Sequence, residues 1–198
     1  MKPTLFIDFD GTLCHDKFWS SLDPILLEKV QQILFSDDKT VVSDWMKGIY
    51  TSEDINKKLA DKLGVEYNLL WDGFVKDCQN MKVGDVVLEL LQRLRSTHTI
   101  VLITDNMDCF DRFTVPSLKL DEYFDTIINS FNERATKNEN DGQLFREVIN
   151  RLGLSPDNCV LMDNSELSCS VFKKLGGTSY LVTKERHLSY WLEVIKEF

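Results

Sequence analysis

The spacing of apolar and polar positions changes several times along the chain. Residues 4–9 (Thr4-Leu5-Phe6-Ile7-Asp8-Phe9) form an almost unbroken run rich in β-forming residues, which predicts a short buried strand. Asp10 and Gly11 follow at once, and Gly11 allows a turn that a Cβ would strain. From Cys14 to Met81 nothing reads as a strand, and the periodicity is helical. Leu22, Ile25, Leu26, Val30, Ile33 and Leu34 mark an amphipathic helix over residues 21–35. Thr51 followed by Asp54 predicts a capped helix start, with apolar positions at Ile55, Leu59 and Leu63 and a stop at Gly64. A further helix is predicted over about residues 67–77.

From Val83 onwards strands and helices alternate. A helix over residues 85–95 carries Val86, Val87, Leu90, Leu91 and Leu94 on one face. A buried strand over residues 99–103 ends at Thr104-Asp105-Asn106, and a partly helical stretch runs to Leu118, limited by Pro116. Strands follow at 125–129, 159–162 and 179–182. Helices lie over 143–152 and up to Leu175, and residues 132–141 form a polar loop. Such alternation with short connections predicts a doubly wound α/β fold with a parallel sheet.

Composition narrows the class. The chain has 198 residues, 43% hydrophobic and 28% charged, as an ordinary globular protein does. Its net charge of −9 argues against nucleic acid or an anionic membrane as a partner. No apolar stretch reaches the ~20 residues of a membrane helix. The first strand begins almost at Met1 with no signal-peptide pattern before it, and the five cysteines include no Cys-x-x-Cys pair. Reduced thiols in a cytoplasmic protein are the expectation. His15, His98 and His187 have no zinc-ligand spacing.

The candidate chemistry gathers at strand ends. Asp8 and Asp10 lie at the carboxyl end of the first strand, where open α/β sheets bind ligands, and point the same way if the strand persists. Like charges so close call for a cation or a shared proton. Thr104 ends the next strand; its hydroxyl is suited to a phosphoryl oxygen, with the backbone N–H groups of Asp105 and Asn106 beside it. Lys137 lies in the polar loop, a setting where lysines are ordinarily just solvated, and Arg134 competes with it as the cation. Asp163 follows the fourth strand.

With these residues in place, the sequence resembles the haloacid dehalogenase superfamily, mostly phosphatases and phosphotransferases. Its opening signature is a hydrophobic strand followed by Asp-x-Asp-Gly-Thr, here Asp8 to Thr12. The resemblance implies a Rossmann-like core at residues 1–14 and 82–198, with a small α-helical cap at 15–81. It implies Asp8 as nucleophile and Asp10 as acid and base, with Thr104, Asp105 and Lys137 binding the substrate phosphate. Mg2+ is implied on Asp8, Asp10 (through its carbonyl) and Asp163. The second acid that many members carry after Asp163 is missing: Asn164 stands adjacent and Glu166 is off register.

The implied activity is hydrolysis of a small phosphorylated metabolite through an aspartyl phosphate. Asp10 argues against dehalogenation, because members with that chemistry have tyrosine there. A phosphoglycosyl mutase, a phosphonate hydrolase and a catalytically weakened scaffold share the same core. A receiver domain differs in the position of its acid and has no helical insert. His15, Asp16, Lys17 and Trp19 lie where the chain leaves the core for the insert, either lining a pocket or forming surface and hinge.

Overall fold

The structure is a computed structural model that describes residues 2–37 and 39–196, with the side chains of residues 36, 37, 39 and 196 left undescribed. Five parallel strands form one sheet: β1 (Thr4–Ile7), β2 (Thr99–Thr104), β3 (Thr126–Asn129), β4 (Cys159–Asp163) and β5 (Thr178–Leu181), in the order β3-β2-β1-β4-β5. β1 is central, with Thr4 beside Thr99 and Cys159, and Ile7 beside Leu102 and Met162.

Both faces are covered, which explains why the strands read as apolar runs without alternation. Leu5 and Ile7 face a core shared with α5 (Asp85–Leu94) and α10 (Leu188–Lys196). Phe6 points the other way, against α8 (Gln143–Arg151) and α9 (Glu166–Lys174). There Phe172 packs on Phe6 and Phe145 with ring centroids 5.7 and 5.0 Å apart.

Between β1 and α5 the described chain is helical: α1 (Pro24–Gln32), α2 (Lys39–Met46), α3 (Ser52–Leu63) and α4 (Tyr67–Gln79). These helices have their own apolar cluster, centred on Trp19, Trp45, Leu70 and Phe74. Met107 and Cys109, from the segment after β2, join that cluster and tie it to the sheet. The chain's exit and return are clipped together, since Asp16 Oδ2 accepts the Lys82 backbone N–H at 2.8 Å.

Several elements follow the sequence closely. Thr51 accepts the Asp54 N–H and Asp54 accepts the Thr51 N–H, completing a capping box, and Gly64 ends the helix at φ 65°. Others differ. β1 stops at Ile7 rather than Phe9, although the Asp8 N–H still donates to the Met162 carbonyl at 3.0 Å. Pro116 does not end the helix before it. A wider π-type turn at Phe110–Thr114 precedes α6 (Val115–Leu118), and Pro116 lies in the first turn of α6. The polar loop contains a short helix, α7 (Ser130–Glu133), and a 3-10 turn at Glu139–Asp141.

Phe172→Ala should cost roughly 3–5 kcal/mol of stability, because the ring is fully buried between two others. Urea unfolding would measure this; a loss below about 1 kcal/mol would mean that this face of the sheet repacks freely.

Candidate active site

The register of the sheet brings the acids together. Ile7 pairs with Met162, so the next residues, Asp8 and Asp163, leave adjacent strands side by side. Lys137 reaches them from the loop between β3 and α8. Its Nζ donates to Asp8 Oδ1 and to Asp163 Oδ2, each at 2.6 Å, and its backbone N–H donates to Asp105 Oδ1 at 2.8 Å. The lysine is only 4% exposed, so it is not the solvated loop residue that composition alone suggests. Arg134 turns elsewhere, donating to the Gly48 carbonyl at 2.8 Å.

Asp10 lies just beyond the turn. Its Oδ2 accepts from Asn106 Nδ2 at 2.7 Å, and Asn106 Oδ1 accepts the Met107 N–H at 2.9 Å. The Asn106 backbone N–H, expected from the sequence to stand beside a phosphoryl oxygen, is committed to Ser130 Oγ at 3.0 Å. Its contact with Asp10 is made by the side-chain amide. Asn106 stands only two residues after Thr104, but its reach to Asp10 depends on the neighbouring strand. Thr104 is fully buried at the end of β2 and its hydroxyl has no hydrogen-bond partner. A buried hydroxyl without a partner is costly, and a ligand oxygen would satisfy it.

The turn after Asp10 is tight. Gly11 has φ +76°, and a Cβ there would run into the Asn164 amide. The Thr12 hydroxyl accepts the Asn164 N–H at 3.0 Å and itself donates to Asn164 Oδ1 at 3.3 Å, joining the turns that follow β1 and β4. Ser165 N–H donates to Asp163 Oδ1 at 2.7 Å. Glu166 is exposed at the start of α9 and lines a separate hollow with Lys173 and Lys174.

The charges do not balance. Asp8, Asp10, Asp105 and Asp163 gather about Lys137. Burial pushes the Asp8 carboxyl up to about 7; Lys137 opposes this, and the neighbouring carboxylates of Asp163 and Asp10 add to it. Burial likewise raises Asp10 to about 6, against the pull of Lys137. Burial also raises Asp105. Burial alone would lower the Lys137 ammonium, but the carboxylates of Asp8, Asp163 and Asp105 outweigh it and keep the lysine charged.

Among the described residues no three His, Cys, Asp or Glu side chains form a ready metal cluster. Asp8 and Asp163 nevertheless bring two carboxylates together, and among the described residues Lys137 is the one cation paired with them. That combination fits a hard divalent cation such as magnesium.

Comparison with known proteins gives the family and the fold. The family profile described as haloacid dehalogenase-like hydrolase matches residues 2–166. The chain belongs to that family. Flavin mononucleotide hydrolase 1, a chloroplastic protein of Arabidopsis thaliana, is 23% identical over 182 residues, covering 90% of this chain and 72% of the relative. A HAD family enzyme from Bacteroides thetaiotaomicron, solved with magnesium and inorganic phosphate, superposes with a TM-score of 0.73 at 19% identity, covering 92% of this chain and 95% of that one. An L-2-haloacid dehalogenase from Xanthobacter autotrophicus with covalently bound chloropropionic acid reaches 0.66 at 17% identity, covering 93% and 80%. This haloacid dehalogenase-like hydrolase has no described helix long and apolar enough to cross a membrane.

The raised carboxyls make a pH prediction. A carboxyl whose folded pKa lies above its unfolded value contributes stability that is complete below about pH 4. That stability is lost as pH rises through 6 and 7. A cation that pairs with the ionised forms must therefore stabilise the protein more at pH 8 than at pH 5.5. Magnesium at about 100 times its Kd should raise Tm by roughly 5–10 °C at pH 8 and clearly less at pH 5.5. Equal shifts in differential scanning fluorimetry would remove the site from consideration.

Proposed function

We propose that the protein is a magnesium-dependent phosphomonoester hydrolase that works through a phosphorylated Asp8 on a small phosphorylated metabolite. The observation that carries this reading is the pairing of roles. Asp8 is bridged to Asp163 by a buried ammonium, and close by Asp10 is an acid with a pKa of about 6 held by Asn106. One carboxylate is oriented to attack and the other is able to give and take a proton.

In the proposed reaction Asp8 attacks phosphorus as the P–O bond to the alcohol breaks, and Asp10 protonates the departing oxygen. Asp10 then takes a proton from water as that water attacks the aspartyl phosphate, releasing inorganic phosphate and restoring Asp8. Two Lys137 N–H groups are engaged by Asp8 and Asp163, leaving its third donor for a phosphoryl oxygen. The partnerless Thr104 hydroxyl is suited to another, and we assign the Asp105 backbone N–H to the same phosphate. Bound magnesium, on Asp8, the Asp10 carbonyl and Asp163, would supply charge that favours ionised Asp8 and offsets the phosphoryl oxygens. Residues 15–81 serve in this reading as a cap that receives the leaving group. The free, buried cysteines fit a reducing compartment such as the cytoplasm.

Dehalogenation is the competing chemistry, since a dehalogenase shares the fold. The acid at Asp10 favours the phosphatase, because a departing halide needs no proton and a departing alkoxide does.

Asp8→Asn should abolish phosphate release while the circular dichroism spectrum stays unchanged. Asp10→Asn should slow release by roughly 10²–10⁴, least for esters with acidic leaving groups. Chloride release from 2-chloropropionate, with no phosphate release from any of a panel of phosphomonoesters, would reverse the assignment.

A further inference from the structure

Asp10 and Gly11 form one end of a cavity of about 310 Å³ between the sheet and the helices above it. Among the described residues, the buried side chains that line it are Trp19, Val30, Leu34, Trp45, Met81 and Met107, all of them apolar. Its polar members other than Asp10 (His15, Asp16, Lys17 and Gln31) are exposed and stand at the mouth.

The two indoles could in principle present hydrogen-bond donors to a ligand, but both N–H groups are already engaged. Trp19 Nε1 donates to Asn56 Oδ1 at 3.3 Å, and Asn56 Nδ2 donates to the Ser52 carbonyl at 2.8 Å. Trp45 Nε1 donates to Asp108 Oδ1 at 3.0 Å. That same oxygen accepts the Ser52 hydroxyl at 2.6 Å, while Asp108 Oδ2 accepts from Arg112 at 2.7 Å. Asn56 is fully buried, and Asp108 nearly so. The network fixes both rings against Phe74, at centroid distances of 4.7 and 6.0 Å. Trp19 has φ +58°, a backbone conformation that bulky residues rarely adopt. The rings therefore offer the cavity carbon and π surface, not donors.

We propose that this cavity takes the leaving group of the substrate and selects a flat aromatic one, so that the preferred substrates are phosphate monoesters of compact aromatic alcohols. This deepens the phosphatase reading and rests on it, since Asp10 is both the proton donor to the departing oxygen and part of the cavity's lining. Sugar hydroxyls entering here would give up water and find no partner, whereas an aromatic ring gains area burial and ring contacts. The polarisable sulfurs of Met81 and Met107 add to the preference. The volume lies at the lower end of small-molecule pockets and suits a one- or two-ring system.

The test compares 2-naphthylmethyl phosphate with glucose 6-phosphate. Both are esters of primary alcohols, so leaving-group acidity does not decide the result. We expect kcat/KM to favour the naphthyl ester by roughly 10²-fold, mostly through KM. Leu27→Gln, on a half-buried position of the lining, should cut that ratio about tenfold. Independently of turnover, 2-naphthalenemethanol should quench indole fluorescence at concentrations where glucose does nothing, and Leu27→Gln should weaken the quenching. Binding of the alcohol without hydrolysis of either ester would sink the phosphatase reading and leave the cavity's ligand class standing. Equal hydrolysis of both esters, or no quenching, would overturn the inference about the cavity, and equal hydrolysis would leave the phosphatase reading intact.

Discussion

The Lys137 ammonium lies between Asp8 and Asp163, 2.6 Å from each, and the rest of the site depends on that bridge. Burying an ammonium and two carboxylates carries a large desolvation cost, which only close, well-aligned pairing offsets. Lys137 also donates its backbone N–H to Asp105. One residue from the loop between β3 and α8 thus engages the carboxyl ends of β1, β2 and β4. Removing the lysine would leave both buried carboxylates without their partner, so this contact constrains the sheet's end as strongly as it defines the chemistry.

The bridge leaves the site with surplus negative charge, and that surplus is where fold and function meet. Without a further cation, Asp8 and Asp10 hold their protons unusually well, up to about 7 and about 6. A general acid with a pKa near 6 is useful near neutral pH, since it can give a proton and take one back. A nucleophile near 7 is not, because half of it would be protonated at that pH. In the proposed reaction the two carboxyls, Asp10 as acid and Asp8 as nucleophile, thus have opposite needs. A divalent ion near Asp8, together with the Asn106 amide on Asp10, is an arrangement that meets both.

The helical layer is joined to the sheet chiefly by apolar packing. Three of its polar ties, Arg112–Glu53, Lys47–Glu139 and Arg134 to the Gly48 carbonyl, are partly exposed and individually weak. The buried contribution comes from Met107 and Cys109 entering the tryptophan-rich cluster and from Asp108, whose Oδ1 accepts from Trp45 Nε1 and the Ser52 hydroxyl. The segment that follows β2 therefore serves both layers: Asn106 holds Asp10, Met107 lines the cavity, and Asp108 anchors Trp45. A shift in this short stretch would be felt at the acid and in the cavity together.

Sequence by itself determined the strand order of chemistry. Asp8 and Asp10 after the first apolar run, Thr104 after the second and Asp163 after the fourth were legible because strand composition and turn glycine are local properties. The helices capped by Thr51 and closed by Gly64 were legible for the same reason. Residues 39–46 and 188–196 drew no helix assignment of their own, because α2 and α10 gain their stability from what they pack against. Only the tertiary structure set Lys137, and not Arg134, against Asp8 and Asp163, since a loop cation's burial depends on which strand ends surround it. It alone turned the Asn106 side chain towards Asp10. It also made the cavity apolar by engaging the indole N–H groups of Trp19 and Trp45 with Asn56 and Asp108, contacts that span 37 and 63 residues. Local composition records which groups a chain carries; long-range contacts decide which of them remain free to meet a ligand.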